Sequence, residues 1–335
     1  MNIKKLSALL GLAIVILALA WWQAAQRTTT ASLHSGQPML PGLREQINDV
    51  TGLVIRNSDN QVVSIRLNNG QWQLEEKQGY PADGGKLRSA LLILADAKIL
   101  EEKTSRPEMY SRLGIQDPET PDAQNLGVTI ELGEAHRGLI IGKSAMGNSH
   151  YVRRTGEAAG LLVNQSLVMD ADAMNWLQTG ILDIDAKQIS RVDVQHDDGD
   201  TLSIASLEDS SDNFIIENLP VGREPISEFA ANGIASSLAR LNFSDVRRKG
   251  GTGPQESTSV TFTTRDGLLI TLSIGPGSPA WASFSFTQAM PGENAVTTEQ
   301  ASGYSAQLQD WEFALPGQRA DQLRKHLDEL LKPKD

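Results

Sequence analysis

The sequence predicts an α+β protein: an N-terminal transmembrane helix, then two tandem repeats, each an antiparallel β-rich sheet with one main packing helix. Three observations carry this. An uncharged run from Leu6 to Ala25 follows Lys4 and Lys5. A strand–turn–strand pattern near Leu53 returns near Val192, 139 positions later. In both copies a helical spacing of apolar residues then opens just after a proline, Pro81 or Pro225.

The first element is the anchor, residues 1–25. Its apolar run is about the ~20 residues a helix needs to cross a bilayer core. Lysines at one end and Trp21 and Trp22 at the other satisfy the positive-inside rule and the interfacial aromatic belt. The start is therefore expected in the cytoplasm and the remainder across the membrane. A cleaved signal peptide shares the basic start and apolar middle, with Ala18-Leu19-Ala20 as its small-residue site. The run is long for a signal core and bulky Trp21 would follow the cut, so a retained anchor is the expectation. Residues 26–39 read as a linker rich in threonine and serine, with a typical span of roughly 20 Å.

The first repeat is placed at 40–186 and the second at 187–335. Leu53 and Ile55 alternate like a half-buried strand, as do Val192 and Val194. Polar turns follow, Asn57-Ser58-Asp59-Asn60 and Asp197-Asp198-Gly199-Asp200, each leading into a second alternating strand. Asp83 and Ser227 are suited to cap the helices that come next, since their oxygens accept orphan backbone N–H groups. Leu87, Leu91 and Leu94 form one apolar stripe; Ile234, Leu238 and Leu241 form the other. Further matches run in order: Val128-Thr129-Ile130 with Val260-Thr261-Phe262, Ile141-Gly142 with Ile274-Gly275, and Trp176 with Trp311. An amphipathic helix from Arg319 to Leu331 is expected to close the chain.

Composition excludes several classes. Apart from Lys4 and Lys5, 28 basic residues face 41 acidic ones. So acidic a body has no general attraction for nucleic acid or anionic headgroups. With no cysteine the chain has no disulfide, thiol nucleophile, thiolate metal site or lipoprotein acyl site.

The residues also resemble a known family. Leu40-Pro41-Gly42-Leu43, Ile47-Asn48-Asp49-Val50, Gly79-Tyr80-Pro81-Ala82-Asp83 and Leu94-Ala95-Asp96-Ala97 come first. Tyr110-Ser111-Arg112-Leu113-Gly114-Ile115, Asp117-Pro118, Ile141-Gly142-Lys143 and Tyr151-Val152-Arg153-Arg154 follow. As a set they are similar to domain-of-unknown-function family 4340, well over residues 40 to 190 and more loosely beyond. The resemblance carries no activity. It implies a bacterial inner-membrane protein with a single N-terminal pass and a periplasmic body. It also implies association with ABC transporter permeases or auxiliary subunits.

No catalytic, cofactor-binding or metal-binding residue is expected. Gly142-Lys143-Ser144 invites a phosphate-loop reading, but that loop needs glycine where Arg137 stands. His196-Asp197-Asp198-Gly199-Asp200 lacks the calcium-loop pattern and reads as a hairpin turn. His34, His136, His150 and His326 show no metal-ligand spacing, and no serine sits in Gly-x-Ser-x-Gly. Arg247-Arg248-Lys249, the one basic cluster, reads as a solvated loop. Trp72, Trp176 and Trp311 read as packing residues.

The segment Arg106 to Pro118 is the candidate interaction surface, with Arg106, Tyr110 and Arg112 as its exposed residues. Its counterpart near Lys249 to Glu256 is a short glycine-rich loop. The expected function is a non-enzymatic, membrane-tethered extracytoplasmic module accessory to an ABC-type export complex. The alternative is a periplasmic protein binding a glycan, lipid or peptide in a groove between the repeats.

Overall fold

The computed structural model describes residues 14–22, 35–59, 61–207, 213–250, 257–289 and 295–333. Residues 14–22 form a helix, α1, with every residue exposed. No helix among the described residues is long and apolar enough to cross a membrane. Lys4, Lys5 and the rest of the expected span lie outside the described residues, as does most of the expected linker.

The chain divides into two compact units, the first ending at Leu177 and the second beginning at Gln178. The division falls before the boundary expected at residue 186. Leu182 pairs with Leu241, and Asp183 accepts the Arg240 N–H at 2.8 Å, so this stretch belongs to the second unit. The first unit likewise takes in the end of the expected linker. Met39 is fully buried and its N–H reaches the Ala97 carbonyl, because an apolar side chain there is worth more inside than in water.

Sheet 1 contains β1 (Gly52–Asn57), β2 (Val62–Asn68), β3 (Gln71–Leu74), β4 (Tyr80–Pro81), β5 (Ile99–Thr104), β6 (Leu126–Leu132), β7 (Ala135–Ala145), β8 (Ser149–Arg154) and β9 (Gly160–Val163). Their order is β4-β3-β2-β1-β6-β7-β8-β9-β5, with antiparallel pairing throughout. Leu53, Ile55, Ile65, Val128, Ile130, Leu139, Ile141, Val152 and Leu161 share one face and are buried. The packing helix is α2 (Gly84–Asp96), with Leu87, Leu91 and Leu94 buried as their spacing predicts. Asp83 caps it, accepting the N–H groups of Gly85 and Lys86. Such a cap stabilises by about 1 kcal/mol. A short helix, α3 (Tyr110–Leu113), lies between β5 and β6.

In the second unit β10 (Gly180–Leu182) pairs with β14 (Leu241–Asn242). Sheet 2 contains β11 (Ile189–Gln195), β12 (Thr201–Ser206), β13 (Phe214–Ile216), β15 (Asp245–Arg248), β16 (Thr258–Thr264), β17 (Leu268–Ile274), β18 (Ala280–Gln288) and β19 (Trp311–Leu315). Their order is β13-β12-β11-β16-β17-β18-β19-β15. Setting aside β4, this is the order of sheet 1, strand for strand. The registers correspond too: Leu53 lies opposite Ile65 and Ile130, and Val192 lies opposite Ile204 and Phe262.

The helices correspond less well. No long helix follows Pro225: the region holds α4 (Asn232–Ala235) and a single 3-10 turn, Ser236–Leu238. Ser227 therefore caps no helix, and Leu241 lies in β14. Asn232, Gly233, Ser236 and Ser237 are poor helix formers. The two serine hydroxyls donate back to the Gly233 carbonyl, and the Asn232 side chain accepts the Phe214 N–H. The pairing of Trp176 with Trp311 also fails. Trp311 opens β19, whereas Trp176 ends a 3-10 turn beyond β9; both are buried. A further helix, α5 (Ala295–Leu308), stands between β18 and β19, where the first unit has only a short turn. The expected closing helix is broken into α6 (Gly317–Leu323) and a 3-10 turn, Leu327–Leu330. The break is His326, which is extended and whose N–H is taken by the Glu329 carboxylate.

Candidate functional site

The expected interaction segment lies on the outer face of sheet 1, opposite the apolar face. Gly114, at φ +69°, ends α3 and turns the chain onto the sheet. Three glycines make room for it. A Cβ at Gly142 would collide with the Leu113 carbonyl oxygen, one at Gly160 with the Ile115 side chain, and one at Gly127 with Pro118.

Arg153, on β8, holds the segment from beneath. It is 4% exposed, and its guanidinium donates to the carbonyls of Ile115 (2.9 Å) and Glu157 (3.1 Å) and to Asp117 Oδ1 (2.6 Å). The same guanidinium stacks 4.7 Å from the Tyr110 ring centre. The Tyr110 hydroxyl donates to the Ala158 carbonyl at 2.6 Å. Tyr110 is thus buried, not exposed as expected, because its ring is the lid over a buried cation. Arg106 and Arg112 are exposed. Asn125 donates to the Gln116 carbonyl, while its own side-chain oxygen is buried without a partner.

The same face of sheet 2 is chemically different. Registers align Gly127 with Ser259, Ile140 with Ser273, Gly142 with Gly275, Arg153 with Ser283, Gly160 with Glu312 and Thr104 with Arg247. Polar side chains run across it from Ser203, bonded to Asp193, through Thr261, bonded to Thr271. At its β15 end a cavity of about 330 Å³ opens among Arg247, Arg248, Gly275, Pro276, Trp281 and Glu312. Arg247 donates from Nε to Glu312 Oε2 at 2.8 Å and lies 4.0 Å over the Trp281 ring. Arg248 lies 4.7 Å over Trp311. Arg247 and Arg248 are thus strand residues, not the solvated loop expected, since β15 pairs with β19 through both.

A third cluster unites residues far apart in the chain. His196, Asp200 and His326 place potential ligand atoms within 4.8 Å of one another. The first two flank the β11–β12 turn, which Gly199 closes at φ +91°. Asp200 Oδ2 accepts from His326 Nδ1 at 3.0 Å and from the Leu327 N–H at 3.3 Å. Burial alone would raise the Asp200 carboxyl, but these bonds outweigh it and hold it below the usual carboxylate range. His196 Nε2 faces the Lys325 carbonyl at 3.2 Å, and Nδ1 faces the Thr258 hydroxyl at 3.3 Å. A carbonyl only accepts, so this network assigns the proton to Nε2 and commits the Nδ1 lone pair to Thr258. The two rings stack at 3.8 Å, 12° from parallel. Through these bonds the cluster clamps the hairpin turn to the segment Lys325–Leu327. Elsewhere His150 is a core histidine whose Nδ1 accepts the Leu167 N–H, and burial lowers its pKa.

Arg106–Pro118 is the one surface segment legible in the sequence; most of its expected counterpart, Lys249 to Glu256, lies outside the described residues. The cleft needed strand register to bring Arg247, Trp281 and Glu312 together. The clamp needed tertiary folding, with a separation of 126 residues between Asp200 and His326. No curated protein and no solved structure matches this chain. The family model of a domain of unknown function, DUF4340, matches residues 72–261, from β3 in the first unit to β16 in the second. That span exceeds half of the chain, and the chain belongs to this family.

Proposed function

We propose that this chain is a non-enzymatic, membrane-tethered extracytoplasmic module accessory to an ABC-type export complex. The observation that carries the tether is α1, nine consecutive uncharged residues that are helical and exposed all round. They lie inside the uncharged run behind Lys4 and Lys5. A helix apolar on every face is suited to lipid rather than to water. The reading puts the N-terminus in the cytoplasm and both units on the periplasmic side of a bacterial inner membrane. Family resemblance supplies the transporter. The non-enzymatic reading is supported by how the ionisable groups are used: Arg153 holds the covering segment, and the histidine clamp holds the C-terminal turns. Matching strand order and register also support descent of the two units from one duplicated ancestor, with helices and loops since diverged.

A full-length chain tagged at its C-terminus and solubilised in detergent is expected to retain permease or auxiliary subunits of an ABC exporter. A C-terminal alkaline phosphatase fusion is expected to be active. Full function at normal expression from an exported body lacking residues 1–25 would overturn the tethered reading. So would a single Ser, His or Asp substitution that abolishes function while leaving stability and partner retention intact.

A further inference from the structure

In the second unit the chain enters β14 through a strained turn. Arg240 stands there at φ +46°, in the left-handed region that residues other than glycine, asparagine and aspartate rarely adopt. The turn is pinned on both sides. Asp183 Oδ1 takes the Arg240 N–H at 2.8 Å, and Arg319 of α6 donates from Nη2 to the Ala239 carbonyl at 3.3 Å. Beside it lies a cavity of about 260 Å³, lined by Arg240 and Asn242 from the turn and β14 and by Gln318, Arg319 and Gln322 from α6. Both lining segments lie inside stretches described without a break, 213–250 and 295–333. Among the described residues neither guanidinium is paired with a carboxylate. The Arg240 side chain has no partner, and that of Arg319 has only the Ala239 carbonyl. Asp321, next to Gln322, is answered by Arg324, and no carboxylate lines the cavity. The side-chain amides of Asn242, Gln318 and Gln322 make no hydrogen bond among the described residues either.

We propose that this cavity is an anion site that takes a phosphate group. The inference needs no exporter, so it stands or falls apart from the assembly reading. The ligand is an anion because both charged groups of the lining are cations with donors to spare, in a chain of net charge −11. An acidic body repels anions at a distance, so one is held here only by donors already in place. The anion is a phosphate rather than a carboxylate because one guanidinium fork already satisfies the two oxygens of a carboxylate. A phosphate carries more oxygens and up to two charges, enough for two guanidiniums and the amides beside them. The volume is below that of sites for drug-sized ligands, so a phosphate or a phosphorylated headgroup fits and a glycan chain does not. The backbone at Arg240 agrees with this. Glycine would relieve the strain there, and strain of this kind is kept where a particular side chain is needed.

The test uses the full-length chain in a neutral detergent and equilibrium dialysis against radiolabelled inorganic phosphate at fixed ionic strength. Saturable binding is expected. Arg240→Gln should weaken it at least about tenfold, the order of a lost charge-assisted contact. Arg319→Lys keeps a donor for the Ala239 carbonyl but loses the planar fork, and should weaken it too. Arg88→Gln, on the exposed side of α2, should leave binding unchanged. Arg240→Gly should weaken binding as Arg240→Gln does while raising the thermal midpoint, which separates loss of the site from loss of the fold. Short-chain phosphatidylglycerol and glycerol 3-phosphate are then compared as competitors. Displacement at least about tenfold better by the lipid assigns the phosphate to a headgroup, and anything less assigns it to a soluble phosphate; either upholds the site. No saturable binding up to about 10 mM phosphate would overturn the proposal. So would binding unchanged in both Arg240→Gln and Arg240→Gly, or displacement by succinate as strong as by unlabelled phosphate. A thermal midpoint lowered by Arg240→Gly would also overturn it, making Arg240 a residue of the fold.

Discussion

On sheet 1, Leu113 to Pro118 lie across Gly127, Gly142 and Gly160. On sheet 2, the aligned positions are Ser259, Gly275 and Glu312, and a cleft opens beside the last two. Strand order and register are held in common while the residues of the outer face diverge. A covering segment needs positions without Cβ atoms and a cation to bind its carbonyls. Sheet 1 has both. Sheet 2 replaces two of the three glycines with side chains and gives its cation to a partly exposed pair with Glu312. One scaffold thus carries a turn seated over glycines in one unit and, among the described residues, a polar row ending in the Arg247–Glu312 pair in the other. The difference lies in a few outward-facing residues, since the apolar face is alike in both.

The comparison is broken most readily at its aligned glycines. Gly142→Ala should cost about 2–3 kcal/mol, because the new methyl meets three atoms of the covering turn. Urea unfolding of the variant measures it, and a loss within about 0.5 kcal/mol would refute the close seating of the covering turn on Gly142.

The caps sharpen the contrast between the helices. Asp83→Ala should lose about 1 kcal/mol through the cap of α2, while Ser227→Ala should change stability by less than about 0.5 kcal/mol. A cap-sized loss at Ser227 would restore the long second helix that its position suggested.

Within the covering segment, Tyr110→Phe should cost about 1 kcal/mol by leaving the Ala158 carbonyl without its donor. Arg112→Ala should be silent in stability. Thermal melts of the two variants separate lid from surface.

The smallest effect is expected at the clamp. The Asp200 carboxyl titrates lower in the folded chain than in the unfolded one, so its contribution is present above the usual carboxylate range. It is lost as pH falls through the lowered value. Asp200→Asn should therefore flatten part of the acid limb of stability against pH and leave the neutral region nearly unchanged. An unaltered acid limb would mean that His326 does not hold Asp200 in solution.

The sequence by itself determined the strands, α2 and its cap. Period-two alternation at Leu53, Ile55, Val192 and Val194, and the spacing of Leu87, Leu91 and Leu94, are local signals enforced by burial of one face. Matching strand pairs were legible because the inward residues recur at nearly constant offsets. The second long helix was misread because apolar spacing at Ile234 and Leu238 says nothing of the hydroxyls and amide that undo it. Tyr110 looked exposed because Arg153, the cation it covers, lies 43 positions away. Tertiary structure alone decided the cleft and the histidine clamp. Arg247, Trp281 and Glu312 become neighbours only through strand pairing, and His196, Asp200 and His326 only through the return of the chain's end. Short-range patterns record which face of an element is dry. Which distant side chains meet on the wet face depends on register and loop path, and these follow from the packing of the whole unit.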